Sequence, residues 1–198
     1  MFWDKIAGLY DLFENIYNKE VYIATGKEVA NLLKENDDVL ECACGTGAIS
    51  QYISDKVHNL TATDFSEGML KQARRKLHTK NNITFAQVNI TNLPYKDQSF
   101  DAVVAGNVIH LIKNPENVMQ ELMRVCKKGG RIIIPTYINN SGNTSRIAVR
   151  FLEKLGADFK RQFDAKSYAE FFGEMNFTNV KFVIVNGRMP CDIAIIDV

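Results

Sequence analysis

Between an apolar pair, Val39-Leu40, and a helix-like run, Ala48-Ile49-Ser50-Gln51-Tyr52-Ile53, the chain reads Glu41-Cys42-Ala43-Cys44-Gly45-Thr46-Gly47. A strand that ends in an acid, turns on glycines and enters a helix leaves few folds open. Gly45 and Gly47 lack Cβ, so the backbone can turn sharply there and a ligand can lie against it. The next predicted strand repeats the theme: Leu60-Thr61-Ala62-Thr63 ends in Asp64 and leads into Ser66-Glu67-Gly68-Met69-Leu70. An acid at this second tip is where nucleotide-binding α/β sheets hold a ribose diol. The loop is not a complete dinucleotide fingerprint, because Ser50 occupies the third glycine position, and no Lys-Ser/Thr follows it as in a phosphate loop. The pattern points to a ligand with a ribose and without a pyrophosphate.

Strands and helices alternate through the rest of the chain. Strands are predicted at Val39–Cys42, Leu60–Thr63, Ile83–Val88, Phe100–Ala105 and Arg131–Pro135, with helices near Ala48–Lys56, Ser66–Leu77, Pro115–Lys127 and Ser145–Leu155. A further helix precedes them at Val21–Leu33, with Val29, Leu32 and Leu33 on one face. Ser66 is a plausible helix start, and Asn114-Pro115 a better one, with Pro at the first helical position. The alternation breaks at the end: a helix over Ala165–Met175 is followed by strands at Val180–Val185 and Ala194–Val198, joined through Asn186-Gly187 as an antiparallel hairpin. The fold class is α/β: a doubly wound, mostly parallel, seven-stranded sheet closing in that hairpin. Residues 1–198 read as a single domain.

Composition narrows the partners. Lys and Arg total 24 against 23 Asp and Glu, a balance that gives no electrostatic reason to expect nucleic acid or stable membrane association. Cys42, Cys44, Cys126 and Cys191 form no disulfide framework, with Cys42 and Cys44 expected to point to opposite sides; no Cys-x-x-Cys pair exists, and the histidines are scattered. No structural metal is expected, and a reducing cytoplasm suits the chain. The charges within Met1–Ala7 disfavour a signal peptide, and no uncharged run is long enough to span a bilayer. Asp101 reads as structural, bonding neighbouring backbone.

Together these motifs resemble the class I S-adenosylmethionine-dependent methyltransferases, and within them the small-molecule group that includes the ubiquinone/menaquinone C-methyltransferases. Val39 to Gly47 looks like the family's first motif, Asp64-Phe65-Ser66 with Met69-Leu70 the second, and Asn89-Ile90 followed by Leu93-Pro94-Tyr95 and Ser99-Phe100-Asp101 the third and fourth. Gly129-Gly130-Arg131 looks like the turn before the fifth strand. The likeness runs from about Trp3 to Val198 and is most specific from Val39 to Ile134.

The resemblance implies S-adenosyl-L-methionine as cofactor, with S-adenosyl-L-homocysteine as product. It implies that Glu41 engages the methionine amino end and that backbone at Ala43, Gly45 and Gly47 lines the methionine portion. Asp64 would accept from both ribose hydroxyls. Phe65 and Met69 would flank the adenine, Asn89 and Ile90 would read its edge, and Gly106-Asn107 would contact the amino acid end. Tyr10-Asp11 resembles a pair in the family's amino-terminal lid, which would set Tyr10 over the cofactor. Ala43 stands where glycine is frequent, which a backbone of negative φ would tolerate; Asn89 stands where aspartate is frequent. His110, beyond the fourth strand, is the candidate general base or substrate contact.

Segments 1–35 and about 137–163 are expected to form the lid and substrate side, aromatic and lightly charged, which favours a small, partly apolar acceptor. A monomer or a homodimer fits equally. A nicotinamide-dependent oxidoreductase and a catalytically inert cofactor-binding module are the alternatives. Which atom is methylated does not follow from these residues.

Overall fold

The structure, a computed structural model, describes residues 3–4, 18–139, 158 and 160–198. Tyr10 and the helix expected over Ser145–Leu155 lie outside the described residues. The strands are β1 (Asp38–Cys42), β2 (Asn59–Asp64), β3 (Ile83–Gln87), β4 (Phe100–Ala105), β5 (Cys126–Tyr137), β6 (Val180–Val185) and β7 (Cys191–Asp197). They form one sheet in the order β3-β2-β1-β4-β5-β7-β6. All pairs from β3 to β5 are parallel, and β7 pairs antiparallel with both β5 and β6. This is the doubly wound sheet with a terminal hairpin expected from the alternation.

Side-chain alternation along the strands feeds two cores. On one face Val39, Ala102, Val104, Ile133, Ile193 and Ile195 pack under helices α1 (Lys19–Asn31), α2 (Ser50–Ser54) and α3 (Glu67–Lys76). On the other, Leu40, Cys42, Val103, Ile132 and Ile134 pack under α4 (Pro115–Val125) and α5 (Ala165–Glu174). Tyr168 of α5 is fully buried there, and its hydroxyl donates to the Ile134 carbonyl at 2.7 Å. No helix among the described residues is long and apolar enough to cross a membrane.

Several boundaries differ from expectation, each for a local reason. The helix expected from Ala48 begins at Ser50, because Gly47 holds φ +86° and residues up to Ile49 are spent in turns. Strand β5 is registered from Cys126, but its pairing jumps from Phe100–Cys126 to Ala102–Arg131. Lys127–Gly130 bulge out on Gly129 at φ +78°, and a Cβ on Gly130 would meet the Asp101 carbonyl at 2.6 Å. Ser66 does cap its helix, accepting from Met69 N at 3.2 Å, whereas the side chain of Asn114 makes no cap bond.

The hairpin loop is five residues long, Asn186 to Pro190, since Val185 pairs with Cys191. Gly187 is needed for a close approach rather than a tight turn: a Cβ there would meet Val21 Cγ2 at 2.1 Å. The same loop fixes the start of α1, for Asn18 Nδ2 donates to the Met189 carbonyl (2.9 Å) and Met189 N donates back to Asn18 Oδ1 (3.2 Å). Cys42 and Cys44 do face opposite cores. Strand period does not explain this, since residues two apart share a face; the left-handed turn at Ala43 does. Asp101 bonds Asp38 N at 3.0 Å and Lys127 Nζ at 2.8 Å, the structural role expected of it.

Candidate active site

Strands β1 and β4 are neighbours from which the chain order runs outward in both directions. The crevice at their carboxyl ends is therefore the switch point where an open α/β sheet binds ligands. A cleft opens there, walled by Glu41 and the loop after β1, by Gly106 and Asn107 after β4, by Tyr137 at the end of β5, and by Tyr22 and Thr25 of α1. The loop is wound by three left-handed residues, Ala43 (φ +55°), Gly45 (φ +56°) and Gly47 (φ +86°). Ala43 thus does not keep the negative φ that an alanine tolerates best. Tight bonding explains it: Cys44 N donates to the Thr63 carbonyl (2.8 Å), and Thr63 Oγ1 donates to the Glu41 carbonyl (3.0 Å), forcing the chain to reverse between them.

The two strand-tip acids sit in different surroundings. Glu41 is 2% exposed, and Ser50 Oγ donates to its Oε2 at 2.5 Å. Burial pushes its carboxyl up to about 8, outweighing the Ser50 bond, and the nearby charge of Asp64 adds to the rise. Asp64 accepts Gly45 N on Oδ2 (2.9 Å) and Ser66 N on Oδ1 (2.8 Å). Burial raises its pKa too, against the opposing pull of these backbone donors. Thr25, 3% exposed, opens on the same cleft, and its Oγ1 has no hydrogen-bond partner.

Comparison with known proteins fits this geometry. A family model described as a methyltransferase domain matches residues 40–134. The demethylmenaquinone methyltransferase of Clavibacter sepedonicus is 35% identical over 136 residues, covering 67% of this chain and 55% of the relative. That of Listeria welshimeri is 28% identical over 177 residues, covering 85% and 75%. The chain thus spans about half the length of the Clavibacter relative. The chain belongs to the class I S-adenosylmethionine-dependent methyltransferases. Its fold is shared, at 19% identity and a TM-score of 0.76 over 100% of this chain and 99% of the other, with an S-adenosylmethionine-dependent methyltransferase of Thermotoga maritima. One from Aquifex aeolicus matches at 18% identity and a TM-score of 0.71, covering 98% and 97%. S-adenosylmethionine is the cofactor of this family.

Of the residues singled out in the sequence, the structure gathers Glu41, Ala43, Gly45, Gly106 and Asn107 around the cleft, with Asp64 bonded to its rim. Gly47 makes room for packing instead: a Cβ would meet Leu77 Cδ1 of the α3 end at 2.9 Å. Phe65 is 55% exposed beside Asp64, while Met69 is 3% exposed on α3. Asn89 is exposed and its Oδ1 accepts from Thr91 N (3.0 Å) and Thr91 Oγ1 (2.9 Å); Ile90 is packed into the core. Asn107 holds φ +51° and clamps β5, its N donating to the Pro135 carbonyl (2.8 Å) and its Oδ1 accepting from Tyr137 N (3.1 Å).

His110 lies on a 3-10 turn, Ile109–Leu111, and its carbonyl accepts from Lys160 N (3.0 Å) and Arg161 N (3.2 Å). Burial lowers its pKa to about 4, so the ring is neutral at pH 7 and a weak general base. Thr25 and Ser50 escaped notice as site residues. Thr25 had a signal, a hydroxyl at the centre of the Val21–Thr25–Val29 stripe of α1. Ser50 was visible only as a missing glycine.

Proposed function

We propose that the chain transfers the methyl group of S-adenosylmethionine to a small, partly apolar acceptor. The observation that carries the reading is the bridged pair of strand tips, in which Asp64 holds the glycine loop through Gly45 N while buried Glu41 and the unpartnered hydroxyl of Thr25 face one cleft. These residues fit the cofactor. Asp64 is anchored by the backbone donors of Gly45, Ser66 and Phe65 and presents a carboxylate acceptor to the ribose hydroxyls. Gly45 is open, with nothing within 4 Å of an added Cβ, so a ligand can approach its backbone. Glu41 and Thr25 offer acceptors to an ammonium at the methionine end.

When bound, the cofactor supplies a methyl group already activated by its sulfonium. The chain's task is to align an acceptor with it and exclude water. Tyr22 and Tyr137 give the cleft an aromatic wall, which suits a flat, partly apolar ring. The names of the curated relatives support a quinone-like ring as that acceptor. We assign His110 no base role, because a ring with so low a pKa is a poor proton acceptor; a neutral hydrogen-bonding contact is the role left to it.

Ser50 speaks against a nicotinamide dinucleotide. It fills the third glycine position and turns its hydroxyl on Glu41, where a phosphate-binding loop needs an open helix start. The test is calorimetric titration of the protein with S-adenosylhomocysteine and with NAD, followed by methyl transfer to a demethylated naphthoquinol. Binding of the first ligand alone with turnover supports the reading. Binding without turnover on any quinol leaves an inert module, and binding of NAD alone overturns the assignment.

A further inference from the structure

A carboxylate outside the cleft is tied to the loop that carries Asp64. Asp4 Oδ1 accepts from Ser66 Oγ at 2.6 Å and from Gly68 N at 3.0 Å. Ser66 N in turn donates to Asp64 Oδ1, and Gly45 N to Asp64 Oδ2. A continuous path of hydrogen bonds therefore runs from Asp4 through the cap of α3 to the glycine loop. The contact is built on both sides. The missing Cβ of Gly68 makes the seat, since a Cβ there would meet Asp4 Cα at 2.7 Å and the Asp4 carbonyl at 3.0 Å. The start of α3 also favours negative charge. The Ser66 and Gly68 bonds hold the Asp4 carboxyl down at about 2, so it is ionised throughout the physiological range.

We propose that Asp4 is a latch, a positioning residue that ties residues 3–4 to the Ser66–Gly68 cap next to Asp64 and thereby slows cofactor exchange. The inference rests on the reading that Asp64 holds the ribose of S-adenosylmethionine. It follows from the connectivity: Ser66 serves Asp4 with its hydroxyl and Asp64 with its amide, so undocking Asp4 loosens the residue that orients Asp64. A Gly68 side chain would evict the same end without touching Asp64.

Trp3 is the chain's single tryptophan and adjoins the latch, so its fluorescence reports docking. The experiment compares acrylamide quenching of Trp3 and stopped-flow dissociation of S-adenosylhomocysteine in the whole protein and its variants. In Asp4→Ala and Gly68→Ala, Trp3 should become more quenchable and dissociation about three- to tenfold faster, the range expected for losing an exposed charged hydrogen bond. Asp4→Asn, whose side-chain oxygen still accepts both bonds but without the charge, should fall between Asp4→Ala and wild type. Wild-type quenching in Asp4→Ala overturns the latch, and so does increased quenching with unchanged dissociation. Failure of the underlying reading looks different: Asp64→Ala would then bind S-adenosylhomocysteine as tightly as wild type. In that event the route through Asp64 falls, while faster dissociation in Asp4→Ala would still support a latch acting on exchange.

Discussion

Glu41 and Asp64 stand at the tips of adjacent parallel strands, yet their surroundings prepare them for opposite states. Glu41 points into the sheet's interior side of the cleft and has a neutral hydroxyl for a partner. Asp64 sits one strand outward, with a backbone N–H on each oxygen. Burial raises both pKa values, but only Glu41 is carried to about 8. The difference teaches that an acid at a strand tip is defined by its donors. Backbone amides keep Asp64 a ready acceptor, whereas Glu41 waits in its protonated form for a cation to draw out its charge.

The comparison breaks most readily at Asp64. Asp64→Ala removes a charged acceptor for two hydroxyls, at roughly 1.5–3 kcal/mol each, so affinity for S-adenosylhomocysteine should fall at least about a hundredfold. Calorimetry below the variant's melting temperature checks this, since the variant also loses its bonds to Gly45 and Ser66. With its charge gone, the Glu41 pKa should drop as well, because the Asp64 charge is one of its causes.

Glu41 differs from Asp64 most visibly in its response to pH. A carboxyl whose folded pKa is raised holds more protons in the native state, so stability is greatest below the unfolded pKa and falls as pH rises to the folded one. For Glu41 that window runs from 4.5 to about 8. Asp192, buried with its Oδ1 unpartnered, contributes a similar loss from 3.8 to about 6. His110 acts oppositely, because its pKa is lowered from 6.5 to about 4 and stability gained from its neutral form grows over that span. The Glu41 window thus extends past the end of the Asp192 window and beyond pH 6.5. Urea melts between pH 6.5 and 8 should show that fall in the ligand-free protein, and Glu41→Gln should flatten it while raising stability at pH 8 by about 2–3 kcal/mol.

Two smaller changes test whether the contrast is confined to the cleft. Asp192→Asn should raise stability at pH 7 by about 1–2 kcal/mol and leave S-adenosylhomocysteine affinity unchanged, as Asp192 of β7 is not among the residues that line the cleft. Ala43→Gly relieves a left-handed alanine and should gain about 0.5–1 kcal/mol, read as a higher melting temperature.

The parts of this molecule that sequence discloses are those set by neighbours along the chain. The acid-glycine-helix run, the capping Ser66 and the antiparallel ending are local matters of backbone freedom and side-chain period, and they stand where expected. What stayed hidden depends on contacts across the fold. Ala43 is left-handed because β2 grips Cys44 and Glu41. The Asn186-Gly187 pair resembles a tight turn, yet Gly187 is there to admit Val21. Thr25 became a site residue only when α1 was pinned over the cleft by Asn18 and the hairpin loop. The depressed pKa of His110 comes from burial that position along the chain does not reveal.

If the cleft takes S-adenosylmethionine between a charged Asp64 and a Glu41 that ionises on binding, proton release accompanies the ligand. Calorimetric titration of S-adenosylhomocysteine at pH 7, repeated in two buffers of different ionisation enthalpy, tests it most directly. Saturable one-to-one binding is expected, with a heat that differs between the buffers by the release of most of one proton, a difference that Glu41→Gln abolishes. No saturable binding at millimolar ligand in a folded sample, or binding whose heat is the same in both buffers, would contradict it.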